Sequence, residues 1–421
     1  MRLALLLIIL LLSLIGQAQI KETRQAVDIR FLQAIMRQHP EQFKPILDKR
    51  KAFEVQIIYT QINRDQNNKP EFKTYYYNVD TGRYFYPAST VKFPMALLAL
   101  EKLNALQNPL INKFTPIFHD SVYSGQSWSR ADTTAEGGVP FIAHYIKKIF
   151  VASDNDAFNR LYEWMGQRDA NQLLKQKGYH VRLLQRIERR ASPDENRHTE
   201  AIRFTVRDSV VFRQPMLVND SIVVKKKILR GRGYYENGKL IRKPFNMSYR
   251  NSFPLPDQHE MLKAVIFPES VPVFKRFNLT PEDRRFVLRY MSQLPTETLY
   301  PPYFRDSLYT DASYKYLFFG ADTARIPENI RIFNKVGNAY GYVIDNAYFV
   351  DFDAGIEFML SAVIYANKDE IFNDDKYEYK TVAFPFMKNI GQLIYDYENN
   401  RTKKIRPDLS EFKLDYDMKK E

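Results

Sequence analysis

"YPASTVKFP", residues 86–94, sets a serine three positions before a lysine, where large aromatic residues give way to small and aliphatic ones. Positions three apart share one face of a helix, so the Lys92 amine can lie beside the Ser89 hydroxyl. A serine hydroxyl is a poor nucleophile at neutral pH unless a base takes its proton. A lysine serves as that base if desolvation or a neighbouring cation lowers its pKa. Residues 95–103 are apolar on nearly every face, which predicts a buried helix able to supply the desolvation. Pro94 falls near the start of that helix, where a proline is tolerated. Alone, the spacing also suits a chance pair on a surface helix, because such pairs recur in a chain of 421 residues.

Two further stretches carry residues of matching chemistry. In "VASDNDAFNRLYEWMG", residues 151–166, the Ser153 hydroxyl could relay a proton to a leaving group, and the Asn155 amide could hold a substrate carbonyl and orient the lysine. The structural alternative is a helix cap, with Ser153 and Asp156 at capping-box spacing. In "NKVGNAYG", residues 334–341, Lys335 is expected on a strand, and Gly337 allows backbone and substrate to approach closely. Here the alternative is an edge strand protected by a lysine.

The periodicity places these stretches in a frame. Residues 25–48 read as an amphipathic helix, and "FEVQIIYTQI" and "FKTYYYNVD" as two strands of a hairpin. Helical patterning follows to about residue 180. From about 199 to 253 the chain turns β-branched, with an Asn237-Gly238 pair that favours a tight hairpin, and reads as a β-rich insertion. Helices resume at "DQHEMLKAVI" and "LTPEDRRFVLRYMSQL", the latter with Thr280 as N-cap and Pro281 at the first helical position. Three strands and a helix around 382–397 then close the fold. The two ends are therefore expected to build one sheet lobe (about 25–85 and 325–397), and the middle a helical lobe (about 86–324). The charged tail, 398–421, has little to bury and is expected to be extended or mobile.

Residues 1–18, "MRLALLLIILLLSLIGQA", have the charged, apolar and small-residue layout of a cleavable signal peptide. An uncleaved anchor is the rival, but the apolar run is short for a spanning helix. The expectation is a periplasmic or secreted chain with no stable membrane insertion after cleavage. There is no cysteine, which excludes a disulfide scaffold and a lipid attached through an N-terminal cysteine. The net charge of +13 suits anionic envelope polymers or a generally basic surface, and export makes nucleic acid an improbable partner. Six histidines without paired metal-ligand spacing predict no metal site, and no phosphate loop or dinucleotide fingerprint predicts a cofactor.

Taken together, S-x-x-K at 89–92, S-D-N at 153–155 and K-x-G at 335–337 resemble the signature of the serine β-lactamase and penicillin-binding protein superfamily. The likeness is closest to class A β-lactamases and covers most of residues 25–397 outside the insertion. It implies an α+β fold with a five-stranded antiparallel sheet flanked by helices, plus an all-helical lobe with the cleft between them. It implies Ser89, Lys92, Ser153 and Lys335 as catalytic residues, Asn155, Gly337 and Asn338 as substrate-binding, a β-lactam or peptidoglycan-type peptide as small-molecule substrate, and a monomer. Two departures stand out. Val336 replaces the family threonine, removing a hydroxyl that helps bind the substrate carboxylate. In "RIERRASPDEN", residues 186–196, Glu188 and Glu195 compete for the role of the deacylating base, and the proline and asparagine expected after it are missing. Without a well-held base the acyl-enzyme persists, which makes a penicillin-binding D,D-peptidase or an esterase with slow deacylation the alternative. A non-catalytic module that holds cell-wall peptides is the alternative of another class.

Overall fold

The computed structural model describes residues 29–418 except Ile222 and Lys225, so the leader at 1–18 lies outside the described residues. The first segment forms two helices rather than one, α1 (Ile29–Arg37) and α2 (Pro40–Asp48). The break falls at His39, whose φ of −121° and ψ of 66° are non-helical, because the ring of Pro40 disfavours a helical residue before it.

Strands β1 (Gln56–Arg64) and β2 (Pro70–Tyr77) form the expected hairpin. Helix α3 (Lys92–Ala105) follows the cleft turn, and β3 (Ile117–Asp120) precedes α4 (Ile142–Ala152), α5 (Asn155–Met165), α6 (Gln167–Gln176) and the single-turn α7 (Pro193–Arg197). The insertion carries β4 (Ala201–Val206), β5 (Ser209–Gln214), β6 (Leu229–Arg230), β7 (Gly233–Glu236), β8 (Lys239–Ile241) and β9 (Phe245–Asn246). Then come α8 (Leu255–Ile266), α9 (Pro281–Ser292), β10 (Ile330–Ala339), β11 (Tyr342–Asp351), β12 (Ile356–Tyr365), β13 (Ile371–Phe372) and α10 (Phe384–Asn400).

The two chain ends build one five-stranded sheet in the order β10-β11-β12-β1-β2, with every pairing antiparallel. Its three late strands are buried along almost their whole length, because α1, α2 and α10 cover one face and α8 with the helical lobe covers the other. The helical lobe is organised around α3, buried on every side from Lys92 to Leu100 and packed against α4 and α5. Thr280 caps α9 in a reciprocal box with Asp283.

The insertion is β-rich but is not a separate sheet. Its β4–β5 hairpin extends β3, while β7 and β8 join β13 from the far end of the chain. Asn237 and Gly238 take φ of 49° and 77°, two successive positive values that suit the tight hairpin turn between β7 and β8.

The tail corrects the expectation of an extended segment. Leu409 and Phe412 are buried, with the Phe412 ring 4.9 Å from Tyr348 and 5.5 Å from Phe333. Asp417 pairs with Lys147 at 2.5 Å and Arg289 at 2.9 Å. Spaced apolar residues among the charges are enough to dock it, because the lobes already offer an aromatic floor.

Candidate active site

Ser89 sits in a 3-10 turn, Ala88–Val91, that leads directly into α3. The turn is tight: Thr90 Oγ1 donates to the Pro87 carbonyl at 2.7 Å, and Ala88 is held at a φ of 48°. Strand β10 passes beneath it. A Cβ on Gly337 would lie 2.9 Å from the Pro87 oxygen and the Ser89 nitrogen, so only glycine permits this approach. The Ser89 N–H thus lies against the strand that carries Lys335.

Lys92 has no exposed surface and its amine is the hub of the site. It lies 2.8 Å from Ser89 Oγ, 2.5 Å from Asn155 Oδ1 and 3.3 Å from Ser153 Oγ, and also bonds the Ser153 carbonyl. Burial pulls this amine down to about 7, against the opposing attraction of Asp154 and Glu188. A neutral amine has two N–H groups and one lone pair. The Ser153 carbonyl and Asn155 Oδ1 take the two donors, which leaves the lone pair for the Ser89 O–H.

Lys335 completes the chain of contacts. Its amine donates to Ser153 Oγ at 2.8 Å and to the Val336 carbonyl at 2.9 Å. Burial, then the nearby Lys92 amine, hold it well below the ordinary lysine range. The lysine is not a solvated edge guard. Ser153 ends α4 in the left-handed region, φ 54°, and so turns its hydroxyl between the two amines. The helix cap is Asp154 instead, whose Oδ1 accepts from Ala157 N at 2.7 Å. That division of labour frees Ser153 from the capping role its spacing suggested.

Around these four residues the fit is uneven. Asn155 points its oxygen at Lys92. Asn338 stands exposed at the rim, its Oδ1 accepting from the Tyr316 hydroxyl at 2.7 Å. Val336 is buried in the apolar core with Tyr316 and Leu317 and offers nothing polar to the cleft. Behind Lys335 lies a network the sequence reading missed. Lys315 donates to the carbonyls of Met291 (2.9 Å) and Ile332 (2.8 Å) and to Asn334 Oδ1 (2.6 Å). Asn334 in turn donates to Asp345 Oδ1 at 2.9 Å. Nothing in the local pattern around Lys315 distinguishes it from a surface lysine.

The loop expected to supply a deacylating base is held from within. Arg186 forks onto both oxygens of Glu163 at 2.5 and 2.9 Å, a fully buried pair. The Asn159 amide clamps the backbone of Ile187, donating to its carbonyl at 3.0 Å and accepting from its N–H at 2.9 Å. The residue presented from the clamp is therefore an isoleucine. Glu188 comes one position later, exposed, at a φ of 53°. Glu195 is engaged in the α7 capping box and accepts from Ser124 Oγ at 2.8 Å.

Among solved structures, the chain is similar to a β-lactamase from Sphaerobacter thermophilus (12% identity, 90% of this chain and 100% of that one covered, TM-score 0.47). It is likewise similar to the chromosome-encoded β-lactamase of Vibrio parahaemolyticus (13%, 85% and 98%, TM-score 0.46). No sequence among curated proteins matches. Residues 40–227 match the family model described as "Beta-lactamase enzyme family". That stretch contains Ser89, Lys92, Ser153 and Asn155, and the fold adds Lys335 to them from outside it. Over that stretch, a little under half of its length, the chain is similar to this family, which supports a β-lactamase-like serine hydrolase acting on amide bonds.

Proposed function

We propose that the chain works as a class A-type acylating hydrolase, with Ser89 as nucleophile. The carrying observation is the unbroken series Ser89 Oγ, Lys92 Nζ, Ser153 Oγ and Lys335 Nζ, with steps of 2.8, 3.3 and 2.8 Å. Neutral Lys92 takes the Ser89 proton as Oγ attacks the carbonyl, and the oxyanion falls to the Ser89 N–H and an N–H of β10 beyond Gly337. The proton passes from Lys92 to Ser153 while the Ser153 proton goes to the leaving nitrogen. Lys335 donates to the Ser153 oxygen, which turns that hydroxyl's own hydrogen toward the substrate. Asn155 keeps its amide N–H groups for a substrate carbonyl.

A second reading concerns the fate of the acyl-enzyme. With Ile187 in the Asn159 clamp, Glu188 exposed and Glu195 engaged in the α7 capping box, neither candidate carboxylate is hydrogen-bonded to Ser89 or Lys92 among the described residues, which favours slow deacylation of the penicillin-binding D,D-peptidase kind. Intact mass after incubation with benzylpenicillin tests both readings. An adduct on Ser89 that lasts supports slow deacylation; an adduct that decays within seconds supports turnover; no adduct, with wild-type protein that binds penicillin, favours the non-catalytic module. The leader-like residues 1–18 support export to the periplasm or medium, and the action is proposed to be that of a monomer.

A further inference from the structure

The leaving-group side of the cleft is marked by Ser153 and Lys335. From Lys335, β10 runs past Ser89 at Gly337 to the turn at Tyr340 and Gly341. The acyl part of a substrate attached to Ser89 therefore extends along residues 338–340, away from Ser153. Its walls are aromatic. Tyr86 lies 4.9 Å from Tyr340, and Tyr340 lies 5.6 Å from Phe245 of the insertion.

Arg250, at the end of the insertion, closes this wall. Its guanidinium stands 5.4 Å from the Phe245 ring centre and 5.9 Å from that of Tyr340, and its Nη1 donates to Gln185 Oε1 at 3.1 Å. With Gln185, Tyr249 and Asn196 it lines a cavity of about 450 Å³ between the insertion and the loop after α6. Four neighbouring arginines have carboxylate partners: Arg186 has Glu163, Arg160 and Arg189 have Glu200, and Arg197 has Asp194, whereas Arg182 and Arg190 of the same loop form no ion pair among the described residues. Arg250 has none among the described residues, although it is half-buried. Asp194, already paired with Arg197, and exposed Asp220 also line the cavity, and neither pairs with Arg250. Stacking on two rings keeps the guanidinium fork fixed, which suits bidentate capture of a carboxylate. The Val336 side chain supplies no polar atom to the cleft.

We infer that Arg250 forms an acyl-side subsite for a carboxylate, so that the preferred substrates are amides whose acyl part carries an anionic group. The inference rests on Ser89 being the acylated residue. It is tested with two penicillins that differ in an acyl-side carboxylate, carbenicillin and benzylpenicillin, used on the full chain. Wild type should acylate at Ser89 about tenfold faster with carbenicillin, as a charge-assisted hydrogen bond would give, and Arg250→Gln should bring that ratio to about one. Equal rates in wild type would overturn the subsite and leave Ser89 as nucleophile. Calorimetry of both compounds on Ser89→Ala protein separates the two claims. If neither penicillin acylates wild type, the reading of Ser89 falls, and the calorimetric ratio decides the subsite: tighter carbenicillin binding supports it and equal affinity rejects it.

Discussion

Replacing Lys92 by methionine removes the buried amine while keeping the apolar length of the side chain, and its effect on stability has a definite sign. Burial lowers the folded-state pKa of Lys92 to about 7, whereas a lysine in an unfolded chain titrates near ~10.4. Between these values the unfolded state binds more protons, so stability rises with pH; it is lost again as pH falls toward the folded pKa. One such lysine contributes about 1.4 kcal/mol per pH unit. From pH 7.5 to 9.5, wild type should therefore gain about 2.7 kcal/mol more than Lys92→Met. Lys102 and Lys315, also lowered by burial, titrate in both proteins and cancel in the comparison, whereas Lys335, held down partly by the Lys92 amine, titrates higher in the variant and can only add to the difference. Denaturant midpoints at four pH values measure the difference. Acylation of wild type should rise with pH through about 7 and level above it, and the variant should not acylate. Parallel pH dependence of stability in the two proteins would show that Lys92 is fully charged in the fold, and the general-base argument would fall with it.

Other perturbations follow from the same geometry. Gly337→Ala places a methyl group 2.9 Å from rigid backbone under Ser89, so acylation should fall at least about tenfold and stability by about 1–3 kcal/mol, measured by intact mass and denaturation. Glu188→Gln should leave the acyl-enzyme lifetime within about twofold of wild type, and a large increase would restore Glu188 as the base. Lys315→Met leaves the Met291 and Ile332 carbonyls and Asn334 without their donor and should cost about 3–5 kcal/mol; adding Asp345→Asn should cost less than the sum, because Asp345 then no longer needs a cation nearby. Phe412→Ala should destabilise the whole protein by about 3–5 kcal/mol, as loss of a buried aromatic does, whereas a merely dangling tail would register nothing.

The parts of this molecule that were legible beforehand are those whose chemistry or period is written within a few residues. The Ser89–Lys92 spacing, the Thr280 cap, the alternation of β1 and β2 and the turn at Asn237-Gly238 each depend on neighbours in the chain. What escaped depends on partners chosen at a distance. The insertion announced strands but not their mates, since β3 and β13 lie on either side of it in sequence. The tail looked too dilute to dock because its floor is assembled from Phe267, Phe333 and Tyr348, three segments with no local relation to Phe412. The most consequential case is the loop after α6. Counting from Ser153 points to Glu188, yet the Asn159 clamp holds Ile187 by its backbone, and Glu188 follows one residue later, exposed. The serine, the two amines and the second serine are joined by short bonds, of which Ser89–Lys92 lies within one motif and the other two tie separate motifs together. The water-activating carboxylate has no such local anchor, so its position is set by how the loop packs: the buried Arg186–Glu163 pair fixes the loop from below, and what that loop presents to Ser89 follows from packing.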